Sequence, residues 1–230
     1  MKQKWPLFFF FALIAVTTDT VFSNMSSKHT YHYLALGDSY TIGEQVPSTE
    51  NFPHQAAAFL SNDSIRVETR IIAQTGWTTD ELESGIRAAA AEKPLRSDYD
   101  FVTLLIGVNN QYRGRPVDEY KTAFEALLKK AIDYAGGRPE RVAVLSIPDW
   151  GVTPFAAGRN RQQIASDIDA YNEANRQIAA QYHIYYINIT PGTREAGEDP
   201  TLLAGDGLHP SGKEYKRWAL PLSQWMRQWL

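Results

Sequence analysis

The sequence predicts an α/β fold, with one parallel sheet covered by helices on both faces. Two observations carry that expectation. Apolar runs of strand length recur along the chain, and helical periodicities fill the intervals between them. Several runs are nearly continuous in hydrophobicity, as strands buried on both faces must be.

The apolar runs span residues 33–36, 67–72, 101–106, 142–147 and 184–187. After the first, Pro53 suits the opening turn of a helix reaching about residue 60. Thr78 and Glu81 have capping-box spacing, and Leu82, Ile86 and Ala89 then share one helical face. Tyr120, Phe124, Leu127 and Ala131 form the next stripe, closed by Gly136, Gly137 and Pro139. Ile164, Ile168, Tyr171 and Ile178 mark a fourth helix. Ser211 and Glu214 begin a fifth, which Pro221 is expected to kink or shorten.

The first 23 residues read as a secretory signal peptide. Lys2 and Lys4 are followed by a twelve-residue apolar run at 5–16, and Val21-Phe22-Ser23 offers a cleavage site. That run is too short for a membrane-crossing helix, which needs about 20 apolar residues. The expectation is an exported protein, periplasmic or extracellular, with an uncleaved N-terminal anchor as the alternative. Residues 24–230 then form one domain, with no internal repeat, low-complexity stretch or linker.

Composition narrows the partners. Loss of Lys2, Lys4 and Asp19 with the leader takes the formal charge from −3 to −4. A mildly acidic chain without a Lys/Arg run is a poor match for a nucleic-acid backbone. The chain has no cysteine, so neither disulfides nor lipoprotein attachment is available. His29 and His32 precede the first apolar run, where a solvated or edge position suits them better than metal ligation. His54 and His183 have no obvious partner, and no His-Glu-x-x-His occurs.

In parallel sheets ligands bind beyond the carboxyl ends of the strands. Ser39 follows the first predicted strand, Gly76 the second and Asn109 the third. In Gly37-Asp38-Ser39-Tyr40, a tight strand-to-helix turn would lift the serine hydroxyl into a cleft. A polar turn capping a helix is the plainer reading of the same residues. Asp206 and His209 lie three apart before a helix, a spacing that lets a carboxylate orient an imidazole whose other nitrogen faces a serine. A serine hydroxyl is inert at neutral pH without such a base. Gly-x-Ser-x-Gly is absent.

These segments resemble the blocks of the SGNH, or GDSL-type, hydrolase family. Gly37-Asp38-Ser39-Tyr40 corresponds to the nucleophile block, and Gly76 to the second oxyanion donor. Gly107-Val108-Asn109-Asn110 corresponds to the third block, and Asp206-Gly207-Leu208-His209 to the Asp-x-x-His block. Two positions depart from the pattern: Tyr40 stands where leucine is implied, and Asn110 where aspartate is usual. The resemblance implies a flavodoxin-like three-layer sandwich with a five-stranded parallel sheet. It also implies a catalytic triad of Ser39, His209 and Asp206, and an oxyanion hole from the Ser39 and Gly76 N–H groups and the Asn109 amide. That mechanism needs no metal or cofactor. Trp77, Tyr112, Trp150 and Phe155 follow predicted strand ends and are candidates to line a substrate cleft. The ester is an acyl lipid or an acetylated glycan, and the residues favour neither. The competing reading is a non-catalytic binding module that kept the fold.

Overall fold

The structure is a computed structural model that describes residues 1–3 and 28–230. The expected signal peptide at 1–23 lies almost wholly outside the described residues.

Five strands form one all-parallel sheet: β1 (His29–Asp38), β2 (Ile65–Gln74), β3 (Phe101–Leu105), β4 (Val142–Leu145) and β5 (Tyr185–Ile187), in the order β2-β1-β3-β4-β5. The central strands β3 and β4 are buried throughout, which is why they read as unbroken apolar runs. Strand β1 pairs with β2 over ten residues, from His29 opposite Ile65 to Asp38 opposite Gln74. Both are longer than their apolar stretches, because β2 is an edge strand whose outer positions carry Arg66, Glu68 and Arg70. His29 and His32 therefore belong to β1 rather than preceding it. His32 donates its backbone N–H to Asp100, and among the described residues no cluster of three or more candidate ligands could hold a metal.

Helices α1 (Ser39–Ile42), α2 (Phe52–Leu60), α3 (Thr79–Glu92), α4 (Val108–Tyr112), α5 (Val117–Tyr134), α6 (Arg161–Gln181), α7 (Thr190–Arg194) and α8 (Gly212–Arg227) join the strands. Helices α2 and α8 pack together against one face of the sheet, while α3, α5 and α6 cover the other. Thr78 closes a capping box with Glu81 at the start of α3. The α5 stripe of Tyr120, Phe124, Leu127 and Ala131 is buried as its spacing requires.

Helix α8 is not shortened by its proline but runs through Pro221 to Arg227. An internal proline costs roughly 3 kcal/mol by removing a donor and crowding the preceding turn. Trp218, Leu222, Trp225 and Met226 are all buried. Each such side chain contributes roughly 1.5–3 kcal/mol, so packing outweighs the break. Among the described residues no helix is long and apolar enough to cross a membrane.

Candidate active site

All five strands point their carboxyl ends to one edge, and the chain leaves each there through a loop or short helix. At the end of β1 the backbone turns directly into α1. Gly37 is required at this turn, since a Cβ there would lie 2.0 Å from the Thr41 hydroxyl and 2.5 Å from the Leu105 carbonyl. Asp38 caps α1 by accepting the Tyr40 N–H at 3.0 Å. Ser39 is thus the first residue of a helix, held where it lines a cavity.

The loop before α8 supplies a histidine to the same cavity. His209 Nδ1 bonds Asp206 Oδ2 at 2.6 Å, while the backbone N–H groups of Leu208 and His209 donate to the other carboxylate oxygen at 3.0 Å. Burial opposes ionisation of Asp206, but the imidazole and the two N–H donors together hold its carboxyl below the usual aspartate range. The carboxylate fixes the Nδ1–H tautomer and leaves Nε2 as the free basic nitrogen. Tyr40 backs the imidazole, its ring centroid 5.1 Å away and tilted by 51°.

Ser39 is 4% exposed and His209 6% exposed, and both border one cavity of about 110 Å³ with Asn109, Tyr112, Trp150 and Phe155. Among the described residues no hydrogen bond joins the Ser39 hydroxyl to the imidazole. Contacts of this kind commonly tighten only when substrate is bound.

Two of the oxyanion candidates, Gly76 in the turn before α3 and Asn109 in α4, lie on segments that are clamped together. Asn109 Nδ2 donates to the Trp77 carbonyl at 3.0 Å and, more weakly, to Asp38 Oδ2 at 3.4 Å. Arg113 reaches from the end of α4 to donate to the Gly76 carbonyl at 2.7 Å, while also pairing with Glu81. Gly76 turns at φ +82°, where a side chain would be strained. Its carbonyl faces Arg113, and Gly76 itself does not border the cavity.

Asn110 completes the clamp. Buried to 1% exposure, it accepts the Thr79 N–H at 3.1 Å and donates to the Thr79 hydroxyl at 2.8 Å. The amide therefore ties α4 to the start of α3 without burying another carboxylate near Asp80 and Glu81.

The aromatic candidates separate. Tyr112 and Trp150 line the cavity with Phe155, and Tyr112 and Trp150 meet edge to face at 5.3 Å. Trp77 does not join them. Its indole packs against α3 at Gly85, where an added Cβ would lie 2.0 Å from the ring. Leu208 also lines the cavity and was not singled out by sequence reasoning. Its one signal is an apolar side chain set between Asp206 and His209 in an otherwise polar loop. Asp149, which had no evident chemistry in the sequence, is a buried anchor. It accepts the Gly151 N–H at 2.8 Å and the Arg194 Nε–H at 2.8 Å, bracing the turn that carries Trp150.

A hydroxyl, an imidazole–carboxylate pair and an amide thus gather at the carboxyl edge of a parallel sheet, where such folds bind their ligands. The chain belongs to the GDSL-like lipase/acylhydrolase family, whose profile matches residues 35–217. Solved structures share the architecture. The acetylxylan esterase Axe2 from Geobacillus stearothermophilus superposes with a TM-score of 0.65 at 17% identity, covering 88% of this chain and 96% of that one. The psychrotrophic esterase EstA from Pseudoalteromonas sp. gives 0.63 at 18% identity, covering 86% and 97%. TesA gives 0.63 at 16% identity, covering 86% and 99%. At these identities the likeness shows the fold alone. No curated protein sequence matches the chain.

Proposed function

We propose that this protein hydrolyses carboxylic esters through an acyl-serine formed on Ser39. The observation that carries the reading is the 2.6 Å pair of His209 and Asp206 opening onto the cavity that Ser39 lines. His209 Nε2 takes the hydroxyl proton as Oγ attacks the ester carbonyl. Asp206 stabilises the imidazolium that results. The carbonyl oxygen becomes negative only as the bond forms, and the Ser39 N–H and the Asn109 amide, both at the cavity, receive that charge. His209 then protonates the leaving alkoxide. Water, deprotonated by the same imidazole, attacks the acyl-serine and releases the acid.

Asn109 already spends its amide hydrogens on the Trp77 carbonyl and Asp38. The 3.4 Å contact with Asp38 is the weaker, and its hydrogen is the one available to a developing oxyanion. Two neighbours are described in terms that fit a serine mechanism. EstA was solved inhibited by monoethylphosphonate, and a catalytic mutant of Axe2 replaces a serine with alanine. The leader reading adds export, which N-terminal sequencing of the mature protein checks.

Replacement of Ser39 by alanine tests the proposal. Hydrolysis of p-nitrophenyl acetate is expected to fall by several orders of magnitude while circular dichroism stays unchanged. A folded Ser39→Ala protein with full activity would refute it.

A further inference from the structure

The cavity at Ser39 ends against an internal partition. Tyr40, Trp150 and Leu208 line both this space and a second, separate one of about 10 Å³, which reaches Ala196, Leu202 and Leu203. All three apolar residues behind the partition belong to loops and turns after β5, distant in sequence from Ser39.

We propose that this partition restricts the ester to short acyl chains, from acetyl to about butanoyl, and that Trp150 sets the limit. The limit presupposes Ser39 as the nucleophile. An apolar cavity of about 150 Å³ accommodates one benzene ring, so an acyl chain held wholly within the 110 Å³ here has fewer than six carbons. A long fatty acyl chain would need several times that volume.

The partition is built not to yield. Trp150 is 4% exposed, and its Nε1–H donates to Gln111 Oε1 at 2.8 Å. Tyr112 and Phe155 pack edge-on against its ring, at 5.3 and 6.0 Å. Behind it, Asp149 is pinned by Arg194. Swinging the indole aside breaks the bond to Gln111 and both aromatic contacts.

The direction of the chain follows from the openings. Tyr112 and Phe155 are 42% and 47% exposed and form the open rim, where an alcohol protonated by His209 can depart into water. The opposite side, where Tyr40 and Trp150 are buried beside Leu208, is left for the acyl group. Specificity would therefore lie in the acid half of the ester, with the alcohol half held loosely against exposed aromatics.

The test is kcat/KM for p-nitrophenyl acetate, butanoate, octanoate and dodecanoate, each below its micelle concentration. For the wild-type protein the value is expected to fall at least about tenfold from butanoate to octanoate, since excess methylenes in a rigid pocket are rejected on that scale. In Trp150→Ala the two spaces merge, and the octanoate-to-butanoate ratio is expected to rise by about tenfold or more. Trp150→Phe, which keeps the core filled, should move the ratio part of the way if the alanine variant does not fold. Ser39-dependent turnover with a flat or rising wild-type profile to dodecanoate would overturn the acyl limit alone. Absence of Ser39-dependent turnover of any ester would overturn both it and the acyl-serine reading.

Discussion

Asp38 stands between the nucleophile and the oxyanion loop, fully buried with no cation paired to it among the described residues. Burial pushes its carboxyl from the ordinary 3.8 up to about 7, an effect that the Tyr40 N–H and Asn109 amide only partly offset. A folded-state value above the unfolded one means that the native protein binds the extra proton between these limits. Stability from this group is complete below the unfolded value and is lost as pH rises through about 7. An Asp38→Asn variant would still cap α1, because asparagine serves as well as aspartate there. Thermal melts should then show the variant gaining on wild type as pH rises from about 4 to about 8. Its activity should fall, because an amide cannot accept from both Tyr40 and Asn109 as a carboxylate does. Equal pH dependence of melting in the two proteins would remove the buried charge from this account. For Asp206→Asn, loss of the fixed tautomer should lower kcat by on the order of 10⁴-fold, leaving measurable residual turnover.

At the level of elements, the clamp between the 76–79 loop and α4 is what sequence motifs only partly disclosed. The asparagine at 110 looked like a lost carboxylate, yet its amide makes both contacts with Thr79. Replacement by aspartate should preserve them, with the Thr79 hydroxyl turning from acceptor to donor. Asn110→Leu would instead bury an unpaired N–H and hydroxyl, costing about 1–3 kcal/mol. Urea denaturation of the two variants separates these outcomes, and equal stability would contradict the clamp. Asn109→Ala should lower kcat by about 100- to 1000-fold, as loss of one oxyanion donor does, and should also lose about 1 kcal/mol of stability with the bond to the Trp77 carbonyl. The helices α3, α5 and α6 were legible because capping or apolar period marks them along their length. Helix α8 is not shortened at Pro221, because burial decides the matter, and burial cannot be read from local propensity. The long edge pairing of β1 with β2 escaped for a related reason: outward positions in β2 carry charges that interrupt the hydrophobic signal.

Over the whole molecule, the sheet gathers residues from opposite ends of the sequence. Ser39 follows the first strand and His209 lies beyond the last, yet the order β2-β1-β3-β4-β5 delivers both to one edge. The five apolar runs made the fold legible, and the Gly-Asp-Ser and Asp-x-x-His segments marked Ser39 and His209, which line one cavity. Side-chain direction was not legible. Trp77 and Trp150 look alike as aromatics after strand ends, but one packs on Gly85 and the other walls the cavity. Nothing local in sequence distinguishes them, because the difference arises from which helix each meets.

The proposed chemistry rests on an activated hydroxyl at Ser39, and active-site phosphonylation reads it directly. Treatment with a fluorophosphonate followed by peptide mass spectrometry should place one adduct on Ser39. Labelling should slow sharply in His209→Ala and disappear in Ser39→Ala. An adduct on another residue, or labelling of Ser39 at the same rate without His209, would contradict the proposed chemistry.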